Sequence, residues 1–236
     1  MKLRPRFRFV CLTLVCCAWI LSLDVQPVHA QKKSVKPGIN KSFENPDVDQ
    51  FVERFEREGR EVYTLRDQVV KLCKLDKGTA IADVGAGTGL YSRLFAKQVG
   101  EQGRVYAVDI SKKFVDHVES TSRKAGLNNV VGVVCGTDSC DLRPHSVDAV
   151  FICDTYHHFE FPEKTMKSIL DALRPGGRLL LIDFVREEGE SSEWILNHVR
   201  AGEAVVRKEI ESVGFEFVDE KEIFEQNYFL QFRKPD

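Results

Sequence analysis

The stretch from Ile81 to Leu90 constrains the fold of this chain more than any other part of the sequence. It carries an apolar run of strand length, then glycines at three alternate positions, then the first residue of a helical pattern. The apolar run predicts a buried strand, and the glycines permit a sharp turn in which the backbone approaches a ligand closely. The N-terminus of the following helix favours an anionic group. This stretch therefore predicts a strand, a glycine turn and a helix that together line a ligand site.

Strands and helices alternate from about residue 79 to the C-terminus, and this order predicts the fold class. The predicted strands span 79–84, 104–108, 130–135, 147–153 and 178–182, followed by two alternating segments at 215–218 and 228–232. Strands separated by helices form a parallel sheet with right-handed crossovers and helices on both faces. The expected fold is an α/β, doubly wound, Rossmann-like sheet of about seven strands that is mostly parallel and ends in an antiparallel hairpin.

The regions outside this sheet are predicted from apolar spacing. Residues 47–75 carry two helical stripes interrupted at Gly59, which predict a helical cap in front of the first strand. Residues 31–46 are polar and are expected to form a linker. Apolar residues at helical spacing between Ile195 and Val213 predict one long helix. The folded domain is therefore expected to span residues 47–236.

Residues 1–30 have the features of a secretory signal. Four basic residues precede an apolar run from Phe9 to Leu23, and Val28, His29 and Ala30 give the small-residue spacing of a cleavage site. The run is short for a membrane-spanning helix, which needs about 20 residues, so a cleaved signal is favoured over an uncleaved anchor. We therefore expect a periplasmic or secreted protein that meets a membrane only through an uncleaved leader. A cytoplasmic protein is the alternative if the leader has another role.

Composition and charge narrow the expected partners. The chain has 236 residues, of which 43% are hydrophobic, and this suits a single core. It has 34 Lys and Arg against 36 Asp and Glu, without a long basic run, so the charge does not indicate a nucleic-acid partner. A small molecule is the expected partner, and the sequence does not indicate the oligomeric state. Cys73, Cys135, Cys140 and Cys153 show neither a disulfide framework nor the spacing of a metal site.

Aspartates stand at or just after the end of the five predicted parallel strands. They are Asp83, Asp109, Asp138, Asp154 and Asp183. In an open α/β sheet, ligands bind beyond the carboxyl ends of the strands, so these side chains are expected to line one rim. The alternative for each is a helix N-cap or a turn residue, and for Asp183 the two interpretations carry equal weight.

Four segments together resemble the motifs of one enzyme family. Residues 83–89 are similar to motif I of the class I S-adenosylmethionine-dependent methyltransferases, 105–110 to their second-strand motif, and 138–139 to the motif after the third strand. The Leu-x-Pro-Gly-Gly turn at 173–177 resembles the turn before their fifth strand. The resemblance extends from about residue 47 to the C-terminus. It points to the ubiquinone/menaquinone C-methyltransferase branch and its small-molecule relatives.

The resemblance implies S-adenosylmethionine as the cofactor and assigns roles to individual residues. Asp109 would accept hydrogen bonds from the two ribose hydroxyls, Ile110 would pack on the adenine ring, and Asp138 with Ser139 would recognise the adenine amine. The glycine turn would lie under the methionine part. The donor-binding candidates are Asp83, Gly85, Ala86, Gly87, Gly89, Asp109, Ile110, Asp138, Ser139 and Asp154.

The acceptor side is expected after the fourth strand and at the start of the last helix. The catalytic candidates are Tyr156, His157, His158 and His198, because a phenol or an imidazole there could take the acceptor's proton. Trp194 and Arg200 lie near His198 in sequence, with a solvated helix face as their alternative role, and Arg60 and Tyr63 of the cap could reach the donor carboxylate. Histidines at 157 and 158 with Glu160 do not form a recognised ligand set, so no metal is predicted.

Two other functions compete with a methyltransferase that transfers a methyl group in line to a small-molecule acceptor. A non-catalytic nucleoside-binding protein would share every donor motif. A nicotinamide oxidoreductase would need G-x-G-x-x-G/A, whereas the glycines here run G-x-G-x-G and Leu90 occupies the last position of that fingerprint. The methyltransferase is therefore the leading hypothesis, and turnover is what separates it from the binding protein.

Overall fold

The computed structural model describes residues 33–236, so the predicted leader at 1–30 lies outside the described residues. The helices are α1 (Val48–Phe55), α2 (Glu61–Thr64), α3 (Arg66–Leu72), α4 (Leu90–Val99), α5 (Lys112–Lys124), α6 (Pro162–Ala172), α7 (Glu193–His198) and α8 (Glu203–Val213). The strands are β1 (Ala80–Val84), β2 (Arg104–Asp109), β3 (Val130–Val134), β4 (Val147–Cys153), β5 (Leu173–Phe184), β6 (Glu216–Glu220) and β7 (Asn227–Arg233). None of the helices in this part of the chain has the length and apolar character needed to cross a membrane.

The seven strands form one sheet in the order β3-β2-β1-β4-β5-β7-β6. The first five strands are parallel, and β7 runs antiparallel to both β5 and β6. The predicted fold class is therefore confirmed. The chain order reverses between β1 and β4, which opens a crevice at their carboxyl ends. Strand β5 begins at Leu173 rather than at residue 178, because Leu173 already pairs with Val147 before the Pro-Gly-Gly turn.

Both faces of the sheet are covered by helices, and this explains why β4 is apolar at every position except Asp148. Successive side chains of a strand point to opposite faces. Val150 and Ile152 belong to the core on one face with Met166 of α6, whereas Phe151 belongs to the core on the other face with Phe95 of α4. A strand buried on both faces reads as a continuous apolar run.

Helices α1 to α3 form the predicted cap. Asp47 is the N-cap of α1, where its side chain accepts a hydrogen bond from the backbone N–H of Gln50. The second helical stripe is divided at Leu65 into α2 and α3. The hydroxyl of Tyr91 on α4 donates to the carbonyl oxygen of Val62 at 2.6 Å, so the cap is attached to the domain by a buried hydrogen bond.

The prediction of one long helix between residues 195 and 213 is wrong. The chain forms two helices there, α7 and α8, which are separated by residues 199–202. The guanidinium of Arg186 donates to the carbonyl oxygens of Leu196 and Val199, so the end of α7 is satisfied by a side chain instead of by another helical turn. Val199 and Val206, on either side of the break, are both buried. The apolar period therefore continues across the break and hides it in the sequence.

Candidate active site

The glycine turn after β1 is held against the end of β4. Gly85 and Gly89 have φ values of 76° and 77°, in the left-handed region that favours glycine. A Cβ atom at Gly85 would lie 2.2 Å from Thr155, and one at Gly89 would lie 2.5 Å from Val118 of α5. Glycine is therefore required at both positions, and Thr155, which the sequence did not single out, sets the distance between the turn and the residues after β4.

Asp109 ends β2 with its carboxylate facing the glycine turn. Oδ2 accepts a hydrogen bond from the backbone N–H of Gly87 at 2.9 Å, and Oδ1 accepts one from Ser111 at 2.8 Å. Burial raises the pKa of this carboxyl group, against the lowering effect of these backbone hydrogen bonds. A carboxylate has about four acceptor sites, so Asp109 keeps capacity for two ligand hydroxyls.

Asp83 lies buried beneath the same turn. Ser92 of α4 donates from its hydroxyl to Asp83 Oδ2 at 2.6 Å. Burial, with a further contribution from the negative charge of Asp109, raises the pKa of Asp83 to about 6. A cation placed above the turn would stabilise this carboxylate in its charged form.

Asp154 follows β4 and pairs with the cap. Its Oδ2 accepts a hydrogen bond from Arg60 at 2.6 Å, its Oδ1 accepts one from Asn227 of β7 at 2.7 Å, and burial raises the pKa of this carboxyl group. Arg60 also lies over the ring of Phe55, and its guanidinium keeps further N–H donors for a ligand carboxylate. Tyr63, the other cap candidate, does not line the cavity but stacks with Arg66 instead.

The donor candidates after β2 and β3 are only partly brought together. Ile110 and Ser139 line the cavity, as do Gly85, Ala86 and Gly87 of the glycine turn. Asp138 does not line it, because its half-exposed carboxylate pairs with Lys164 at 3.1 Å. Ser139, rather than Asp138, is thus the polar side chain of this pair that faces the cavity.

Tyr156 is wrongly placed among the catalytic candidates. It is fully buried, and its hydroxyl donates to Glu209 of α8 at 2.8 Å. Arg200 pairs with the same carboxylate at 2.6 Å, so neither side chain reaches the cavity. The cause is a turn of 3-10 helix at Tyr156–His158, in which consecutive side chains diverge by about 120°.

His157 faces the cavity and is held from behind by Asp183. Its Nδ1 lies 2.7 Å from Asp183 Oδ1, and its backbone N–H donates to Asp183 Oδ2 at 3.0 Å. A carboxylate can only accept, so in the neutral imidazole Nδ1 carries the proton and Nε2 presents a lone pair. Asp183 lies within β5 and does not line the cavity, so it is neither the rim residue nor the N-cap or turn residue that the sequence suggested; it is a positioning residue for an imidazole.

His158 and His198 complete a cluster with His157. Their Nε2 atoms lie 3.3 Å apart, and one ring nitrogen of each histidine lies within 4.8 Å of those of the other two. Burial, together with the neighbouring histidines, lowers the pKa of His158 to about 2 and that of His198 to about 4. At neutral pH both rings are therefore neutral. Trp194 stacks on His198 with ring centroids 4.6 Å apart.

The segment 33–46, expected as a linker, contains neither a helix nor a strand, yet it packs over the histidine cluster. Asn40 is buried and donates from its amide to the carbonyl oxygen of His158 at 3.0 Å. Phe43 meets the ring of His158 edge-on at 4.9 Å. Lys36 donates to the carbonyl oxygens of Asn197 and His198 at the end of α7. Phe43, the aromatic residue of this mostly polar segment, was the signal in the sequence.

One cavity of about 720 Å³ connects these groups. It runs from Ser139 and Ile110 past Asp109 and the glycine turn to the histidine cluster, where Phe184 and Trp194 form apolar walls. A volume of this size is typical of a small-molecule or cofactor site. We call the Asp109 side the donor end and the histidine side the acceptor end.

Comparison with known proteins agrees with the motifs. Residues 82–181 match the model of a family described as a methyltransferase domain. The chain is 30% identical over 109 residues to the ubiquinone/menaquinone biosynthesis C-methyltransferase of Haemophilus ducreyi. This alignment covers 46% of this chain and 42% of that protein. It is 32% identical over 117 residues to the protein-L-isoaspartate O-methyltransferase of Aeropyrum pernix, which covers 48% of this chain and 42% of that protein. The chain thus spans less than half the length of these curated relatives.

Solved structures extend the likeness to the whole sheet. A SAM-dependent methyltransferase from Aquifex aeolicus matches with a TM-score of 0.71 and 25% identity, over 80% of this chain and 99% of that one. The [4+2]-cyclase SpnF matches with a TM-score of 0.65 and 19% identity, over 76% of this chain and 85% of that one, which shows the fold alone. The family, enzyme class and cofactor class expected from the motifs are confirmed: this chain contains a class I S-adenosylmethionine-dependent methyltransferase domain.

Proposed function

We propose that the protein transfers the methyl group of S-adenosylmethionine to a small-molecule acceptor held at the histidine cluster. The observation that supports this most is the single cavity that runs from Asp109 to His157 past the glycine turn. Methyl transfer is an in-line displacement, which requires donor and acceptor to meet in one enclosed space. A cavity that only bound a nucleoside would not need the second, aromatic end.

At the donor end, Asp109 binds the ribose hydroxyls, and Ile110 with Ser139 contacts the adenine. The methionine part lies over the glycine turn, with its carboxylate at Arg60. Its positive sulfonium and ammonium groups then lie near the buried carboxylates of Asp83 and Asp154, whose pKa values are raised by burial. The donor thus supplies positive charge beside Asp83, and adds to that of Arg60, which already pairs with Asp154.

At the acceptor end, Phe184, Trp194 and Phe43 provide flat apolar walls, and His157 Nε2 accepts a hydrogen bond from the reacting group of the acceptor. Asp183 fixes the tautomer that makes this lone pair available. In the transfer step the carbon–sulfur bond breaks as the acceptor–carbon bond forms. The protein contributes alignment and exclusion of water, and the segment 33–46 covers one side of the site.

A small-molecule acceptor is supported by the cavity volume of about 720 Å³ and by the near-neutral charge of the chain, which argues against a nucleic-acid partner. Relatives of this domain include proteins described as a tRNA U34 carboxymethyltransferase of Desulfotalea psychrophila and a protein-L-isoaspartate O-methyltransferase. Transfer to RNA or protein in the experiment below would therefore replace this part of the proposal.

The test is incubation of the purified protein with methyl-labelled donor and fractions of a cell extract, followed by identification of what becomes labelled. We expect label in the small-molecule fraction and a loss of about 10-fold in turnover for His198→Ala, which is smaller than the loss of about 10²- to 10⁴-fold expected for a group that itself takes the proton. Donor affinity of that variant should be unchanged. Donor binding without labelling of any fraction would favour the nucleoside-binding alternative.

We also propose export, with a mature N-terminus at Gln31 and a domain spanning 47–236. The support is the leader sequence described above. The structure shows four free cysteines among the described residues: Cys73, Cys135, Cys140 and Cys153. Strand β3, which precedes Cys135, is separated from β4, which carries Cys153, by the two strands β2 and β1. Mass spectrometry of the native protein should find an N-terminus at Gln31 and four unpaired cysteines, whereas an intact Met1 in a cytosolic fraction would contradict export.

A further inference from the structure

The histidine cluster has the geometry of a metal site as well as that of an acceptor pocket. His158 Nε2 and His198 Nε2 face each other at 3.3 Å. In a tetrahedral site with metal–nitrogen bonds of about 2.0–2.1 Å, two ligand nitrogens stand about 3.3–3.4 Å apart. A ring nitrogen of His157 lies within 4.8 Å of a ring nitrogen of each of the other two, so a small shift of this ring would bring three nitrogens around one point.

We propose that His157, His158 and His198 bind a divalent transition metal of the zinc type, with its fourth coordination position open to the cavity. Three imidazoles are a ligand set that suits such metals, and three protein ligands with one open position are typical of catalytic rather than structural zinc sites. Among residues 33–236, this is the group of three metal-type side chains that the structure brings together.

The surroundings of His157 support this assignment. Metal-bound histidines usually donate their other ring N–H to a carboxylate, which orients the ring and fixes the tautomer. Asp183 has this position: it is 1% exposed, lies 2.7 Å from His157 Nδ1, and is itself held by the backbone N–H groups of His157 and Phe184. His157 Nε2 is thereby left as the ligand atom.

The other two rings are also held in place before any ligand binds. His198 is stacked on Trp194, and His158 is packed between Phe43 and its two histidine neighbours. His158 Nδ1 is buried and has no hydrogen-bond partner among the described residues, so the contact of this ring with another polar side chain runs through Nε2. Glu160 is engaged with Ser34 and Asn40 and is not a fourth ligand.

Two nearby positive charges, those of Lys36 and Arg54, oppose a cation, and Lys36 gives the proposal a distinctive test. The ammonium of Lys36 is bound at the end of α7, and its charge, like that of Arg54, acts on both His158 and His198. The carboxylate of Asp183 compensates from the other side of the cluster. Removal of the Lys36 charge should therefore strengthen metal binding, which no purely structural role of the histidines would predict.

The chemical role of the metal rests on the proposed function. At the open position, the oxygen or sulfur of the acceptor coordinates the metal and loses its proton to solvent, because a bound cation lowers the pKa of such groups. The resulting anion then attacks the donor methyl group, and the carbon–sulfur bond of the donor breaks. The metal thus replaces the hydrogen bond from the acceptor to His157.

The experiment uses the purified mature protein after removal of metals with a chelator. Calorimetric titration with Zn²⁺, and visible absorption after addition of Co²⁺, measure the site without any turnover. We expect one equivalent bound per chain and a tetrahedral Co²⁺ spectrum. His198→Ala, a half-buried position whose loss spares the core, and His158→Ala should each lower affinity by more than about 100-fold, and Asp183→Asn by about 10- to 100-fold.

Two further variants separate a site from general affinity for metals. Lys36→Gln should bind Zn²⁺ more tightly than the unaltered protein. His117→Ala, on α5 and outside the cavity, should bind equally well and serves as the matched control. The proposal is overturned if the unaltered protein binds neither metal, or binds both no better than a variant that lacks His158 and His198. Metal binding without methyl transfer would overturn the proposed function and leave the site intact.

Discussion

The two ends of the cavity are built in different ways. The donor end consists mainly of residues at the ends of β1 and β2, joined by Ser139 and Arg60, and the buried carboxylates of Asp83 and Asp109 there have raised pKa values. The acceptor end is assembled from the segment 33–46, the turn after β4, the end of β5 and α7, and the pKa values of His158 and His198 there are lowered. Burial disfavours the charged form of the titratable groups at both ends. The carboxylates of the donor end are therefore suited to a positively charged ligand group, and the neutral imidazoles of the acceptor end to a hydrogen-bond donor or a metal ion.

The largest loss of stability is expected from a substitution in the glycine turn, where the two ends of the cavity are in contact. Gly85→Ala places a Cβ at 2.2 Å from Thr155 and forces a left-handed conformation on alanine. Gly78→Ala is the matched control, because Gly78 also has a positive φ but nothing within 4 Å of its Cβ position. We expect a loss of about 3 kcal/mol or more in the free energy of unfolding for Gly85→Ala and about 1 kcal/mol for Gly78→Ala.

Chemical denaturation of both variants measures this difference. Thr155→Gly in the Gly85→Ala background should recover part of the lost stability, because it removes the clashing side chain. Equal losses in the two single variants would show that the glycine turn does not depend on its contact with the acceptor end.

A second prediction concerns the ionisation of Asp83 at the donor end. The pKa of Asp83 is about 6 in the folded chain, whereas the ordinary value for an aspartate is 3.8. Ionisation of Asp83 therefore favours the unfolded chain. The stability contribution of this group is fully present below pH 4 and is lost as the pH rises through 6, with a limit of about 3 kcal/mol. Asp83→Asn, which keeps an acceptor for Ser92, should therefore be more stable than the unaltered protein at pH 8 and similar to it near pH 4.

Unfolding of both proteins without added donor, near pH 4 and at pH 8, tests this difference in stability. The affinity for the donor gives a second test. Asp83→Asn should bind the positively charged S-adenosylmethionine more weakly than the unaltered protein does, since the carboxylate that offsets the donor's charge is gone. A variant that is less stable than the unaltered protein at pH 8 would contradict the pKa assignment.

The smallest expected effect separates Tyr156 from the histidines next to it. Tyr156→Phe removes one hydrogen bond to Glu209, which remains paired with Arg200, so the loss of stability should be about 1–2 kcal/mol. Turnover should stay within about 2-fold of the unaltered protein, whereas the change at His198 lowers it much more. A Tyr156→Phe variant that folds normally but loses turnover would return Tyr156 to the catalytic candidates.

The same contrast explains how much the sequence could predict. The donor end follows from local rules, because a strand end, a glycine turn and a carboxylate such as Asp109 are placed by a few neighbouring residues and the parallel order of the strands. The directions of Tyr156 and His157 depend on a single turn of 3-10 helix, which sequence periodicity does not show. The pairing of Asp138 with Lys164 is likewise a tertiary contact between separate elements.

Long-range assembly accounts for the remaining differences. The cluster of His157, His158 and His198 requires α7 to stop where Arg186 satisfies its last carbonyl groups, and an unbroken apolar period gave no indication of that break. Asn40 and Phe43 reach the cavity from a polar segment without secondary structure, where composition predicts only a linker. Residues such as these could be placed only once the fold had brought four separate segments to one end of the sheet.

Calorimetric titration with S-adenosylhomocysteine at pH 7 shows whether the Asp109 end of the cavity binds the methyl donor. We expect one molecule bound per chain, a loss of about 1.5–3 kcal/mol, or about 10- to 150-fold in affinity, for Asp109→Ala, and no change for Asp116→Ala on the exposed face of α5. Unchanged affinity in Asp109→Ala, or binding of NADH in place of S-adenosylmethionine and S-adenosylhomocysteine, would contradict a donor site at this end.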